Sequence, residues 1–206
     1  ALPIFVATLT EPVRQERRER SSSALGALKT LWTLRRFMGP LLAALLFNQI
    51  AMQAAAVWAA PVLIRNHGLT PGQFAGWLSA VTLAGGIVGA LAGGWLGEVG
   101  RRRGGRTGVL VPALIGALLS APLSLFALAS SVPVFAVTLA LNIVMGAVVA
   151  TVGMVAVTMN VPNEVRGLAI GSNFFVSSVF GTATAPVAIA WLSTVFGGEA
   201  KLGLAI

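Results

Sequence analysis

The chain has 206 residues, of which 56% are hydrophobic and only 10% are charged, and its mean hydropathy is +0.88. Soluble domains carry about 25% charged residues, so this inventory cannot cover a water-facing surface. The net charge is +8, but the basic residues lie in short blocks between apolar runs, which argues against nucleic-acid binding. The chain has no cysteine, no aspartate and one histidine, which leaves little for a nucleophile, a base or a metal site. We therefore expect an integral membrane protein that is not an enzyme and holds no cofactor or metal.

Five apolar runs are long enough to cross a bilayer, which takes about 20 helical residues. They occupy residues 39–64, 74–97, 107–129, 134–159 and 168–196, and none contains a charged residue. Residues 1–9 and 201–206 are apolar but short. We expect them to be the end of a preceding span and the start of a further span, in a piece of a longer protein.

The loops between these runs differ in basic residues. Alternate loops hold twelve lysines and arginines on one side and two on the other. The positive-inside rule assigns the twelve to the cytoplasm. The five tryptophans fall near the span boundaries, as aromatic belts at membrane interfaces require. The pattern predicts a multi-pass protein, and we expect its location to be a bacterial cytoplasmic (inner) membrane.

Residues 10–38 form the longest stretch without a span. The second half, ALGALKTLWTLRRF, would place Leu25, Leu28 and Trp32 on one helical face and Lys29 and Arg36 on another. This pattern predicts either a short helix on the inner leaflet, with its basic residues against anionic lipid, or a linker with helical tendency.

The second span carries glycine at every fourth position and ends in a basic block. In a soluble helix each interior glycine costs about 1 kcal/mol relative to alanine. In a bilayer, residues four apart form one stripe, and a glycine stripe lets a second helix approach closely. We predict a packing seam, which faces another helix of this chain or of an absent segment. Its residues are Gly85, Gly89, Gly93 and Gly97.

The end of this span, GWLGEVGRRR (residues 94–103), resembles the conserved cytoplasmic loop of the major facilitator superfamily of transporters. Glu98 stands in place of an aspartate and Val99 in place of a basic residue, which is typical of the second copy of the motif, between the family's eighth and ninth helices. The residues that correspond to its glycines and arginines are Gly94, Gly100, Arg101 and Arg102.

Residues 161–175, VPNEVRGLAIGSNFF, resemble the start of the family's eleventh helix. The resemblance implies an all-α membrane fold, the C-terminal six-helix half of the superfamily, with helices seven to eleven complete between two truncated ends. It also implies that the N-terminal half of the same protein is a partner. Residues 60–78 and 197–206 look like the spinster-type branch, whose members move lipids or organic anions.

A transporter of this type binds its substrate near the membrane midplane, between two halves. Polar side chains at that depth are costly unless they face protein or a water-filled cavity. The first span lines the central cavity in the family, so its amides are candidates for the substrate pathway, as are single asparagines in the fourth and fifth spans. Hydrogen bonding between helices is the alternative role. The candidates are Asn48, Gln49, Gln53, Asn142 and Asn173.

The charged motif has a different predicted role. We hypothesise that Glu98 and Arg102 latch the inward gate through contacts that break when the cytoplasmic side opens. The alternative is a topology signal combined with contact to lipid head groups.

The sequence therefore predicts a secondary active or facilitative transporter of a small organic or lipid-like solute, working by alternating access, with membrane lipids around it. The predicted spans hold no carboxylate or histidine, so a coupling acid is expected in the other half, or the protein is a facilitator. The alternative is a membrane-embedded binding or assembly subunit that does not transport.

Overall fold

The computed structural model describes residues 24–183 together with residues 186, 187, 190 and 191. Within this part of the chain every regular element is helical, which confirms the all-α prediction. The chain also contains a 3-10 helix, Ser124–Leu128, and a π-helical turn, Ser177–Thr182, each of which directly follows an α-helix. The α-helices are α1 (Ala24–Thr33), α2 (Arg35–His67), α3 (Pro71–Gly108), α4 (Leu110–Leu123), α5 (Val132–Asn160) and α6 (Asn163–Val176).

Four of the described helices are long and apolar enough to cross a membrane. They are Arg35–His67, Pro71–Gly105, Leu110–Leu128 and Val132–Asn160, and they overlap the first four predicted spans. The first part of the fifth predicted span is α6 and the π-helical turn. Most of its second part lies outside the described residues, as do residues 1–23 and 201–206.

The predicted amphipathic segment is helical in α1, which is followed directly by α2. Leu31 and Leu34 pack against the buried apolar cluster that contains Met38. Trp32 is 68% exposed, and the Arg35 guanidinium lies 5.2 Å above its ring. The side chains of Leu25 and Leu28, which were assigned to the apolar face, lie outside those described. Contact of α1 with the inner leaflet stays a prediction.

Several helices begin earlier than the apolar runs that predicted them. Pro71 and Pro133 lie in the first turns of α3 and α5, where a missing N–H costs nothing because the first backbone N–H groups have no partner within the helix. The turn before α3 is closed by Gly68, which has φ 66°, and by the backbone N–H of Thr70, which donates to Gln73 Oε1 at 2.8 Å. This short, capped turn connects α2 to α3.

The basic block after the second predicted span is helical rather than a loop, which corrects the prediction for residues 98–106. Helix α3 continues through the charged residues until Gly105, where φ is 61° and ψ is −141°. Only glycine adopts this backbone conformation without strain. Beyond the break the chain folds back so closely that a Cβ on Gly100 would overlap the carbonyl oxygen of Gly108.

Helix α5 lies at the centre of the described bundle and packs against α2, α3 and α4. Two apolar clusters lie near its opposite ends. One is built around the Phe126 and Phe135 rings, which meet edge to face at 5.4 Å. The other joins Met38 to Val157 and Val165.

Candidate functional site

A polar cavity of about 340 Å³ lies between α2, α5 and α6. Helix α2 contributes its amides near the middle of its length, and α6 contributes an asparagine and two serines. Within this lining no side chain is ionisable. The residues that line the cavity are Leu45, Asn48, Gln49, Ala150, Thr151, Met154, Asn173, Phe174, Ser177 and Ser178.

Three of the five predicted pathway residues meet in this cavity: Asn48, Gln49 and Asn173. Asn48 donates its Nδ2–H to the carbonyl oxygen of Gly146 at 3.2 Å, so it also bonds α2 to α5. This contact leaves its carbonyl oxygen to accept from a ligand. Asn173 is buried, with 7% of its surface exposed, and Gln49 is half-buried. Both roles that the sequence left open for Asn48 are therefore compatible with its position.

Helix α6 changes its winding where it enters the cavity. The π-helical turn begins at Ser177, and Ala183 N–H donates to the Ser178 carbonyl five residues earlier at 3.4 Å. Single π-helical turns within α-helices occur frequently at functional sites. Sequence reasoning missed this turn, because nothing in the residue pattern of 177–182 separates a π-helical turn from a regular one.

A larger cleft of about 640 Å³ lies between α2, α4 and α5. Most of its lining is apolar, and its polar members are Arg36, Asn48, Ser120, Ser124 and Asn142, so that Asn48 lines both this cleft and the polar cavity. Asn142 is 4% exposed and donates its Nδ2–H to the Ser120 carbonyl at 3.2 Å, which ties α5 to α4. The structure thus separates Asn142 from the polar cavity. Its described bond is the interhelical role that the sequence gave as the alternative.

A third cavity, of about 470 Å³, lies between α2, α3 and α5 and is lined mainly by alanine, leucine and isoleucine, with Ser79 and Thr82. Met52 lines this cavity and the large cleft. Gln53 is half-buried and lines none of the three cavities. The structure therefore does not bring Gln53 together with Asn48 and Gln49.

The stripe of glycines on α3 faces α5. A Cβ built on Gly89 would lie 2.5 Å from the Val144 carbonyl oxygen and 2.6 Å from Ala147 Cβ. On Gly85 and Gly93 the closest atoms would be at 3.1 Å and 2.9 Å, and on Gly97 at 3.7 Å. Contact is therefore tightest at the centre of the stripe and ordinary at Gly97. The partner helix belongs to this chain, and the sequence had left this choice open.

The charged motif forms a compact cluster at the end of α3. Arg101 donates two hydrogen bonds to the Glu98 carboxylate, both at 2.7 Å, and Arg102 Nε donates to Glu98 Oε1 at 2.8 Å. All three side chains are on one helix, at i,i+3 and i,i+4 spacing, and the arginines are exposed. Gly94 has open space around it, whereas Gly100 packs on the backbone of Gly108. In this state the carboxylate is bound by its own helix.

The comparisons with known proteins agree with this architecture. No protein of curated function matches the sequence significantly. The fold is similar to that of a bacterial homologue of the human lysosomal transporter Spinster, whose crystal structure is in an inward-facing and unoccupied conformation. The TM-score is 0.61 and the identity 20%, which shows a shared fold. The similarity covers 94% of this chain and 42% of that chain, so this chain spans less than half the length of its structural relative.

The sequence profile of the Major Facilitator Superfamily matches residues 41–204, which is most of the chain. The family predicted from residues 94–103 and 161–175 is therefore confirmed, and the structural relative agrees with the spinster-like similarity. The described helices and their apolar surfaces are those of a multi-pass membrane protein. The chain belongs to the Major Facilitator Superfamily of membrane transporters.

Proposed function

We propose that the full-length protein moves a small organic or lipid-like solute across the membrane by alternating access, and that this chain is one of its two halves. The chain's membership of a transporter family supports the general activity. The solute would bind between the polar cavity described above and the other half of the protein. We place the protein in a bacterial cytoplasmic membrane. The start of α2 and the end of α3, which carry the arginine blocks, would then lie on the cytoplasmic side.

One observation carries this proposal: three carboxamides and three hydroxyls, from three segments of the bundle, line one cavity. Burying an amide in hydrocarbon without a partner costs several kcal/mol, roughly 2–7 by most scales. Polar residues at this depth therefore pair with each other or face water and substrate. Asn48 does the first through Gly146, and Gln49 and Asn173 are in position to do the second.

The chemistry of the cavity limits what it recognises. With no ionisable side chain in its lining, this face binds through neutral donors and acceptors, and Phe174 and Met154 offer apolar contact. A charged solute would need its counter-charge from outside this lining, either from the other half or from Arg36, which lines the larger cleft. The same holds for proton coupling, which requires a group that titrates.

We also propose that the cluster of Glu98, Arg101 and Arg102 acts at the cytoplasmic gate. Its two arginines are exposed and carry more donors than the Glu98 carboxylate can accept. They are therefore able to bind a second carboxylate or a helix C-terminus on the other half when the inner side closes. In the full-length protein we expect Glu98→Gln to change turnover. Unchanged turnover in this variant would contradict the gate role.

The transport proposal is tested with the full-length protein in proteoliposomes. The probes are an NBD-labelled lysophosphatidylethanolamine for a lipid-like solute and radiolabelled glucose for a small polar one. We expect one probe to move faster than in protein-free liposomes. Asn173→Ala and Gln49→Ala should lower that rate about tenfold, because each removes a hydrogen-bonding group from the cavity.

Asn142→Ala is the matched control, since this asparagine lies in the apolar cleft rather than in the cavity. Binding of a probe without movement above the protein-free rate would favour the alternative, a membrane-embedded binding or assembly subunit. If neither probe binds or moves, that result would contradict the substrate class proposed here.

A further inference from the structure

We propose that Gly181 is a positioning residue of the polar cavity. Because Gly181 has no side chain, the backbone of the π-helical turn that continues α6 packs directly on Gln49. That contact fixes the Gln49 amide and the Ser177 and Ser178 hydroxyls around one ligand. The inference rests on the proposed function of the cavity, but the contact that carries it is independent of which solute is bound.

The contact itself is specific. Gly181 is buried, and a Cβ built on it would lie 2.8 Å from Gln49 Cγ and 3.3 Å from Gln49 Cβ. The next neighbour, Leu46 Cδ1, would be at 3.7 Å, an ordinary contact. The α2 backbone fixes the position of Gln49 Cβ, and Cγ can move only by rotation about the Cα–Cβ bond, which swings the whole amide with it. Any side chain at 181 must push α6 off α2 or swing the Gln49 amide out of its present position.

The requirement for glycine is confined to this position on α6 and its continuation. Gly167 and Gly171 lie earlier on the same helix, and a Cβ on either would meet nothing within 4 Å. Both are exposed. Gly181 therefore differs from them by what it touches, and Gly171 is a matched control for any test.

The winding of α6 explains why this contact matters to the cavity. In an α-helix successive residues are separated by about 100° around the axis, and a π-helical turn accommodates one extra residue. The π-helical turn therefore sets which side chains from Ser177 onward face inward. Asn173 lies before the turn, Ser177 and Ser178 open it, and Gly181 lies inside it against Gln49. The contact of Gly181 with Gln49 thus fixes the rotation of the π-helical turn about its axis, and with it the direction in which the two serines face.

The test is a cross-linking experiment that needs no substrate. Thr151→Cys and Ser178→Cys place one thiol on α5 and one on α6, both in the cavity lining, while Gln49 stays intact. The full-length protein, on a background without other cysteines, is treated with a short bis-methanethiosulfonate reagent. We expect Gly181→Ala to slow cross-linking about tenfold, because the added methyl displaces α6 from α2. Gly171→Ala should leave the rate unchanged.

A double variant separates positioning from general damage. In a Gln49→Ala background the Cγ atom that the methyl added at position 181 would meet is gone, so the effect of Gly181→Ala on cross-linking should shrink to less than about threefold. If Gly181→Ala alone fails to fold, the double variant should recover folding. Equal cross-linking rates for Gly181→Ala and Gly171→Ala would overturn the inference. A double variant as damaged as the single one would also overturn it.

Uptake measurements distinguish this inference from the proposed function. For the probe that moves, we expect Gly181→Ala to raise KM about tenfold with turnover nearly unchanged, because binding groups are misplaced while the transport motion is intact. If Asn173→Ala lowers uptake but Gly181→Ala changes neither KM nor cross-linking, the positioning role is wrong and the transport proposal stands. If cross-linking responds as expected but neither probe moves, the positioning role stands and the transport proposal fails.

Discussion

The seam between α3 and α5 and the contact between α2 and the π-helical turn both use glycine, but in different ways. At Gly89 the neighbouring atom is a backbone carbonyl oxygen, that of Val144. At Gly181 the neighbour is a polar side chain, that of Gln49. Backbone cannot yield, so the first contact fixes how two helices lie against each other. A side chain can turn, so the second fixes where a hydrogen-bonding group points. Glycine thus fixes the packing of two helices in the α3–α5 seam, and it fixes the position of a polar side chain at the contact with Gln49.

The largest expected effect is at the centre of the seam. Gly89→Ala brings a methyl group to 2.5 Å from the Val144 carbonyl oxygen, and neither helix backbone can give way locally. We expect the free energy of unfolding to fall by about 3 kcal/mol, the upper range for overpacking. Thermal unfolding of the purified protein in detergent, followed by tryptophan fluorescence, measures this. Gly86→Ala, three positions earlier with nothing within 4 Å, is the control, and equal losses in the two variants would contradict the seam.

A smaller loss is expected at Asn142. Asn142→Ala removes the hydrogen bond to the Ser120 carbonyl and leaves that acceptor without this partner, which costs about 1–2 kcal/mol. Transport per folded molecule should be unchanged, since Asn142 lies in the apolar cleft. The two readouts are the thermal midpoint and the uptake rate normalised to folded protein. Reduced uptake at an unchanged midpoint would assign Asn142 to the substrate pathway instead.

Gly146 on α5 tests the intermediate case, in which a glycine receives a flexible side chain. A Cβ there would overlap the sulfur of Met52 on α2. Methionine is unbranched and adapts to altered cavities, so we expect Gly146→Ala to cost only about 1 kcal/mol. The measurement is the same thermal unfolding. A loss as large as that of Gly89→Ala would show that the α2–α5 contact is as rigid as the seam.

The smallest effect is expected at Gly94, which has nothing within 4 Å and lies on the open face of α3. Gly94→Ala should leave stability unchanged or raise it by up to about 1 kcal/mol, because alanine is the better helix former. Uptake by the full-length protein is the second readout. Lower uptake at unchanged stability would indicate that a helix of the other half packs against this face. Gly94 would then be a glycine contact between the two halves, in addition to those within this chain.

The positions of four helices could be predicted from the sequence because apolar length is a local property of the chain. The residues at which these helices begin and end could not be predicted in the same way. Helix α3 continues through its arginines, where Glu98 pairs with Arg101 and Arg102 on the same helix, and it is broken only at Gly105. Hydropathy detects the edge of an apolar run and contains neither of these effects.

The candidate site was also predicted only in part from the sequence. The sequence identified the polar side chains of the spans, because amides within apolar runs are conspicuous. It could not sort them: Asn48, Gln49 and Asn173 share one cavity, Asn142 meets Asn48 only in the larger cleft, and Gln53 lines neither. Which residues meet depends on how helices from distant parts of the chain rotate against each other.

The sequence by itself determined that this is a helical membrane protein of the Major Facilitator Superfamily, because hydropathy, charge bias and the motif of residues 94–103 are all written along the chain. Only the tertiary structure decided that α5 is the partner of the glycine seam and that Gln49 meets Gly181. It also decided that α6 widens into a π-helical turn at the polar cavity. These features arise from contacts between residues far apart in sequence, and no local pattern contains them.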